Sequence, residues 1–210
     1  MTKEGRAIST DIVDLEGAAQ RLGEMVAGAA DSELGRPTPC PSYTLGDLIE
    51  HLGRIAQAFG GAAVKATGPT SDLTPAGDAS RLADGWRSTI PADLVTMARA
   101  WREPAAWEGM TRIAGSDGPA DVIGLSAASE LVVHGWDVAR ARGQDYDPGP
   151  AAIDAARRFL SLFASPDAPA GPDVAFGPSR EVPRDAPELD RVVALAGRDP
   201  GWAAPSPAGP

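Results

Sequence analysis

The sequence is short of several residue types that carry common chemistry. Its 210 residues include a single cysteine, Cys40, which excludes an intrachain disulfide and is typical of proteins of the reducing cytosol. Lysine and arginine number 19 against 29 aspartates and glutamates, so the formal net charge is −10 and nucleic-acid phosphates and anionic membranes would be repelled. No apolar run approaches the roughly 20 residues that cross a bilayer, and no hydrophobic block follows residues 1–10 as a secretory signal requires. We therefore expect a cytoplasmic protein that binds neither nucleic acid nor membrane.

Apolar residues recur with helical spacing along most of the chain. The pattern predicts four long helices, at about residues 10–30, 44–62, 79–102 (with Pro91 as a break or a kink) and 119–142, and two shorter ones at 151–163 and 187–197. The connecting segments are predicted to be loops, at 36–43, 68–77, 115–118 and 165–187, with a short strand at 173–176. A disordered tail is predicted for residues 203–210. No Gly-rich phosphate-binding loop is present in the sequence.

Four helices of this length most simply pack as a four-helix bundle, so we predict an all-α protein. Residues 1–145 are expected to form the bundle. Residues 146–210 are expected to form a short Pro-rich C-terminal extension that packs on the bundle and carries one or two extra helices. Thr44 and Asp47 have the spacing of a capping box, which predicts where the second helix begins.

The only two histidines both lie on predicted inward faces of helices. His134 follows Glu130 by four residues, and residues i and i+4 project side by side from one face of a helix. His51 lies within the apolar stripe of the second helix, a potential neighbour in the bundle. Burying the Glu130 carboxylate without a partner would be costly, and an ion shared with His134 and His51 would compensate for that cost. Two imidazoles and one carboxylate leave coordination positions open, as catalytic metal sites do.

Ordinary structural roles are the alternatives for these residues. Glu130 and His134 are also spaced for a hydrogen-bonded pair, and His51 could be a core histidine whose hydrogen bonds are satisfied. Cys40, in the loop before the second helix, is predicted to be a small buried core residue rather than a catalytic thiol. Glu50 is next to His51 in sequence, so it should point elsewhere on the helix, toward solvent.

Asp137 is a further candidate because it lies three residues after His134 and shares its side of the helix. Its expected roles at the site are a fourth metal ligand, an acceptor for an imidazole N–H, or a proton shuttle. The alternative is an ion pair with Arg140 or Arg142.

Two segments resemble the signatures of a known family. Residues 37–51 (PTPCPSYTLGDLIEH) and 130–141 (ELVVHGWDVARA) resemble the second-helix and fourth-helix signatures of mycothiol-dependent maleylpyruvate isomerase-like proteins, within the DinB-like superfamily. Residues 189–202 (LDRVVALAGRDPGW) are similar to the tail of the shorter, actinobacterial members. The resemblance covers most of the chain.

The resemblance implies a DinB-like four-helix bundle that binds a divalent metal through His51, Glu130 and His134. The metal is usually Zn²⁺, with Fe²⁺ or Ni²⁺ as alternatives, and in characterised relatives it binds a small thiol such as mycothiol as the thiolate. The isomerase itself carries a larger C-terminal domain that supplies substrate contacts, whereas the chain after Gly143 is short and Pro-rich here.

The function expected on this basis is that of a metal-dependent thiol S-transferase or isomerase. The metal would lower the pKa of the thiol, and the thiolate would add to a small electrophilic substrate. Two alternatives keep the same ligands: activation of water for hydrolysis or elimination, and Fe(II) chemistry. A third is a non-catalytic protein that binds or confers resistance to a small molecule. We expect a monomer or a homodimer.

Overall fold

The computed structural model describes residues 12–68, 76–168 and 176–205. Helices dominate these residues, and the predicted all-α class is confirmed. The helices are α1 Glu16–Ala27, α2 Leu45–Ala63, α3 Trp86–Ala100, α4 Ala120–Arg142, α5 Pro150–Leu160 and α6 Glu188–Leu195. Two short strands, β1 Met110–Ile113 and β2 Ser116–Pro119, pair antiparallel with Met110 opposite Pro119.

The four long helices form a closed ring of contacts. α1 packs on α3, α3 on α2, α2 on α4, and α4 on α1, so each helix has two neighbours in the bundle. α1 and α2 follow each other in sequence but lie diagonally opposite, and the same holds for α3 and α4. This arrangement places α2 beside α4, which is the pairing that a site built from both helices requires.

The bundle interior is a single apolar cluster to which all four helices contribute. Its largest fully buried side chains include Leu22 of α1, Leu52 of α2, Leu94 of α3 and Leu131 of α4. Fully burying a leucine contributes about 1.5–3 kcal/mol relative to leaving it exposed. This packing holds the backbones of α2 and α4 at a defined separation.

Several helix boundaries differ from those predicted. α1 begins at Glu16, and residues 1–11 lie outside the described part of the chain. α3 begins at Trp86 rather than at 79, because Gly85 adopts a left-handed conformation (φ 81°) that ends any helix before it. Pro91 lies inside α3, which continues through it, so the alternative of a break at this residue is wrong. α5 spans Pro150–Leu160 and α6 spans Glu188–Leu195, each shorter than predicted.

The segment around 115–118, predicted as a loop, belongs to the hairpin of β1 and β2. Ala114 (φ 49°) and Gly115 (φ 77°) form its two-residue turn, and two consecutive positive φ angles are typical of a type I′ turn. The strands have only four residues each, too few for an alternating pattern to be evident in the sequence. The hairpin contacts α2 and α4.

The chain after α4 packs back onto the bundle. α5 lies against α4, and α6 contacts α5 and α4. Most of the strand predicted at 173–176 and the end of the predicted tail lie outside the described residues. Within the described ranges, no helix combines the length and apolar character that a membrane span needs.

Candidate metal centre

α2 begins at the capping box predicted from the sequence. Oγ1 of Thr44 accepts a hydrogen bond from the backbone N–H of Asp47 (3.3 Å), and the Asp47 carboxylate accepts one from the backbone N–H of Thr44 (3.0 Å). These bonds satisfy N–H groups that have no partner within the helix. Further along, α2 packs on α3 and α4, and His51, only 5% exposed, lies inside the bundle.

Glu130 and His134 lie one turn apart on α4 and face His51 of α2. Nε2 of His134 is 3.2 Å from Oε2 of Glu130, and Nε2 of His51 is 3.4 Å from the same oxygen. The two imidazole rings meet edge to face, with centroids 4.8 Å apart. The structure therefore brings the three predicted ligands together at one point between two neighbouring helices.

This donor set fits a divalent metal ion. One ligand atom from each of His51, Glu130 and His134 lies within 4.8 Å of the other two. Donors at about 2.0–2.1 Å from a tetrahedral zinc ion lie about 3.3 Å from one another, close to both measured separations. The Glu130–His134 contact alone also fits an ordinary hydrogen-bonded pair. The approach of His51 to the same oxygen is not explained by that pair.

Asp137 lies behind His134, on the side away from Glu130. Its Oδ2 is 2.9 Å from Nδ1 of His134, and it is also 3.0 Å from Nη2 of Arg198. Both Asp137 and Arg198 are buried, at 0% and 6% exposure. Asp137 therefore accepts the Nδ1–H of His134 and leaves Nε2 of that ring directed at Glu130.

The partner of Asp137 is Arg198 and not either arginine expected from the sequence. Arg140 donates to the carbonyl oxygen of Trp202, and Arg142 donates to the carbonyl oxygen of Met25 at 2.6 Å. Arg198 was not predicted, because it is 61 positions from Asp137 and belongs to no apolar pattern. The only signal for it is that it falls within the tail segment that resembles the family.

The buried charges of the site compensate one another. Burial alone would raise the pKa of the Glu130 carboxyl, but hydrogen bonds from His134 and His51 hold it well below its usual value. Burial alone would lower the pKa of His134, but the carboxylates of Asp137 and Glu130 raise it to about 10. Burial would also raise the pKa of Asp137, which Arg198 and His134 nevertheless hold below its usual value. Removing one member would leave a buried charge uncompensated.

Glu50 is buried, at 8% exposure, so the prediction that it faces solvent is wrong. Its carboxylate accepts hydrogen bonds from Nε (3.2 Å) and Nη2 (3.1 Å) of Arg81 and from the backbone N–H of Asp78 (3.0 Å). These partners lie on segment 76–81, which folds over the first turns of α2. The periodicity of α2 predicts its inward stripe but contains no information about a covering segment.

Gly77 allows that segment to approach α2 closely. A Cβ at this position would lie 2.2 Å from the backbone oxygen of Asp47, which is closer than real Cβ atoms come, and 3.0 Å from Cβ of His51, which is a tight contact. The N–H of Gly77 donates to Oη of Tyr43 at 3.2 Å. The Tyr43 ring in turn lies 5.2 Å from the His51 ring, centroid to centroid. Gly77 and Tyr43 thus cover His51.

Cys40 is buried, as predicted for a small core residue. Its Sγ, a carboxylate oxygen of Asp137 and a ring nitrogen of His134 lie within 4.8 Å of one another. Since Asp137 is already bonded to His134 and Arg198, this group is better described as the inner wall of the site than as a second ligand set.

The chain is similar to one protein family, to two curated relatives and to one solved structure. The family described as mycothiol maleylpyruvate isomerase N-terminal domain matches residues 15–139. Two proteins of Mycobacterium tuberculosis strains, both described as uncharacterized, are each 28% identical over 187 residues, which is 86% of this chain and 93% of theirs. A crystal structure of a mutant of the mycothiol-dependent maleylpyruvate isomerase aligns with a TM-score of 0.48 and 17% identity. That similarity covers 68% of this chain but only 65% of the isomerase chain.

Proposed function

Because the chain belongs to the mycothiol maleylpyruvate isomerase N-terminal domain family, we propose that it is a divalent-metal-dependent enzyme that joins a small thiol, such as mycothiol, to a small electrophile. The observation that supports this proposal most strongly is the convergence of Nε2 of His51 and Nε2 of His134 on one oxygen of Glu130, at 3.4 and 3.2 Å. Isomerisation through the same thiol adduct is the related activity.

His51, Glu130 and His134 would hold the ion, with Zn²⁺ as the first choice for a set of two imidazoles and a carboxylate. When bound, a divalent ion with open positions lowers the pKa of a thiol that binds it and so supplies a thiolate at neutral pH. Three protein ligands leave a position for such a thiol. The chain itself then needs no nucleophilic side chain.

Asp137 acts through His134. Both of its oxygens lie within hydrogen-bond distance of Arg198, and Oδ2 also engages Nδ1 of His134. A carboxylate held on both sides and fully buried is poorly placed to exchange protons with a substrate. Of the roles expected from the sequence, we therefore propose the acceptor that orients the imidazole, and not the proton shuttle.

The covalent step needs only the two reactants. The thiol gives up its proton to solvent, its sulfur forms a bond to the electrophilic carbon, and the leaving group departs with the bonding electron pair. With an activated alkene or an epoxide, the electron pair instead moves onto the substrate, which then takes up a proton. The buried side chains of the site contribute ligand geometry and a low-dielectric surrounding.

The proposal is tested with the full chain loaded with zinc, mycothiol and monobromobimane, whose bromide is displaced by a thiol. We expect a conjugation rate above that of the mixture without protein, lost on treatment with EDTA and reduced at least ~100-fold in His51→Ala, as expected for loss of transition-state stabilisation at a metal site. Gln57→Ala on the exposed side of α2 is the matched control. A His51→Ala rate equal to the control rate would contradict the proposal.

A further inference from the structure

A small apolar pocket adjoins the candidate metal centre. It has a volume of about 170 Å³ and lies between α2 and the tip of the hairpin. Ile55, Ala58 and Phe59 of α2 form one wall, and Ile113 and Ala114 of the hairpin form the other. Glu130 also lines the pocket, and its side chain retains 18% exposure. Glu130 is thus shared by the pocket and the ligand set.

The walls of the pocket are held in place by hydrogen bonds between the hairpin region and α2. Oγ1 of Thr111 donates to the carbonyl oxygen of Ala62 at 2.6 Å, and Nζ of Lys65 donates to the carbonyl oxygen of Ala106 at 3.1 Å. These bonds fasten the hairpin and the turn before it to the end of α2. Ala114 keeps a left-handed backbone conformation (φ 49°) that costs an alanine free energy, and this residue lines the pocket.

We infer that the electrophile used at this centre carries an apolar group about the size of a benzene ring, and that this group binds in the pocket between α2 and the hairpin. The inference rests on the proposed function and names its substrate class. An apolar cavity of about 150 Å³ is known to accept benzene, so a ring or a short branched alkyl group fits this one. A drug-sized ligand, which needs ~300 Å³ or more, does not fit.

The charges around the pocket argue against a small dicarboxylic acid as the substrate. The pocket has two charged lining residues, the carboxylate of Glu130 and the guanidinium of Arg54, and Nη1 of Arg54 already lies 3.8 Å from Oε1 of Glu50. A carboxylate on the group that enters the pocket would meet aliphatic surface and the Glu130 carboxylate, and the one cation in the lining, Arg54, already lies beside the Glu50 carboxylate. Burying an unpaired carboxylate is strongly unfavourable, whereas burying an apolar group is favourable.

The catalytic test compares benzyl chloride with chloroacetate, which share a chloromethyl carbon and differ in the attached group. With zinc and mycothiol, we expect kcat/KM for benzyl chloride to exceed that for chloroacetate by about 10- to 100-fold after division by the uncatalysed rates, as expected for burial of a phenyl group. Ala58→Leu should remove most of this preference by filling the pocket. Val64→Leu, at a 66% exposed position of the same region, should keep it.

A binding test needs neither metal nor thiol. In EDTA-treated protein, titration with benzyl alcohol should give saturable NMR shift changes, which should be lost in Ala58→Leu and kept in Val64→Leu. Ile113→Ser, at a partly buried position of the hairpin rather than a fully buried one, serves as a second pocket variant if Ala58→Leu does not fold.

The outcomes separate this inference from the proposed function. Saturable benzyl alcohol binding without any zinc-dependent conjugation would support the pocket and remove the proposed activity. Zinc-dependent conjugation with equal use of both chlorides, and no effect of Ala58→Leu or Ile113→Ser, would overturn the substrate class and leave the proposed activity standing. Absence of saturable binding in the wild-type protein would also overturn it.

Discussion

Nη2 of Arg198 lies 3.0 Å from Oδ2 of Asp137, the same oxygen that lies 2.9 Å from Nδ1 of His134. A residue from the end of the C-terminal extension thus holds the carboxylate that orients a ring of the candidate metal centre. The extension is therefore connected to the site by an ion pair as well as by the packing of α5 and α6 on the bundle.

Asp137→Asn should weaken zinc binding by about 10- to 100-fold, as is usual for loss of a carboxylate that orients a metal-binding imidazole. It should also lower the free energy of unfolding by about 3–5 kcal/mol, because Arg198 is left buried without its counter-ion. Competition with a chromophoric chelator measures the affinity, and urea unfolding measures the stability. Asp154→Asn, which removes an exposed partner of Arg157 on α5, is the control and should change neither by more than a small amount. Unchanged zinc affinity in Asp137→Asn would remove the orienting role.

Zinc should stabilise the folded protein through Glu130. At a free zinc concentration 100 times the Kd, linkage contributes about 2.7 kcal/mol, which corresponds to about 5–11 °C in Tm for a chain of this size. Glu130→Gln should lose most of this shift, because an amide is a much weaker ligand for a cation than a carboxylate. Differential scanning calorimetry with and without EDTA gives the shift. Glu24→Gln, at an exposed position of α1, should retain the zinc-dependent increase in Tm. Equal increases in the two variants would show that Glu130 is not a ligand of the ion.

The helices and the convergence of His51, Glu130 and His134 could be predicted because both depend on local spacing. A period near 3.6 marks a buried helix face, and an i, i+4 pair shares a face wherever the helix packs. The ion pair of Asp137 with Arg198 and the covering of Glu50 by Arg81 could not be predicted this way. Each of these two contacts joins segments that are distant in sequence and share no periodic pattern, so the contact is evident only in the folded chain.

The helix boundaries show the same contrast between local signals, which can be predicted, and conformations that depend on a single residue, which cannot. The capping box of Thr44 and Asp47 marks the start of α2 correctly, because its two hydrogen bonds are local. The periodicity predicts a start of α3 that is too early, since nothing in it shows that Gly85 takes a positive φ. The hairpin was missed because it has few residues and its turn includes Ala114, which is an unusual residue in a left-handed conformation.

Gly77→Ala should destabilise the protein by about 1–3 kcal/mol, the usual cost of forcing an extra carbon into a packed position. The clash is with the backbone of α2, so segment 76–81 must move and the hydrogen bonds from Asp78 and Arg81 to Glu50 should weaken. Gly60→Ala on α2 is the matched control, because its Cβ would make ordinary contact with Met97 at 3.8 Å. That control should be neutral or stabilising by up to ~1 kcal/mol. Equal urea midpoints for the two variants would show that the close approach carries no energetic cost.

Asp47 should contribute to the pH dependence of stability. Burial raises the pKa of its carboxyl, but hydrogen bonds from Thr44 and from the backbone N–H of Ala79 bring it below its usual value. A carboxyl whose pKa is lower in the folded than in the unfolded state stabilises the protein at pH values above its unfolded-state pKa of 3.8. This contribution is lost as the pH falls through the folded-state pKa. The difference in unfolding free energy between wild type and Asp47→Asn should therefore be present at pH 6 and smaller at pH 3. Urea unfolding in EDTA measures it, with Asp154→Asn as an exposed control, and a difference that grows in acid would reverse the sign argued here.

Ala114→Gly should stabilise the hairpin turn and weaken the pocket at the same time. Glycine adopts φ 49° without the steric cost that alanine bears, so the free energy of unfolding should rise by about 0.5–1 kcal/mol, whereas Gly115→Ala at φ 77° should lower it by a similar amount. Ala114 lines the pocket, and we expect the loss of its methyl group to remove apolar surface there, so benzyl alcohol should bind a few-fold more weakly. Urea unfolding and the NMR titration measure the two effects on the same samples. A higher free energy of unfolding with a lower affinity for benzyl alcohol would indicate that Ala114 serves ligand binding at the expense of stability. An increase in both quantities would show that Ala114 has no part in the pocket.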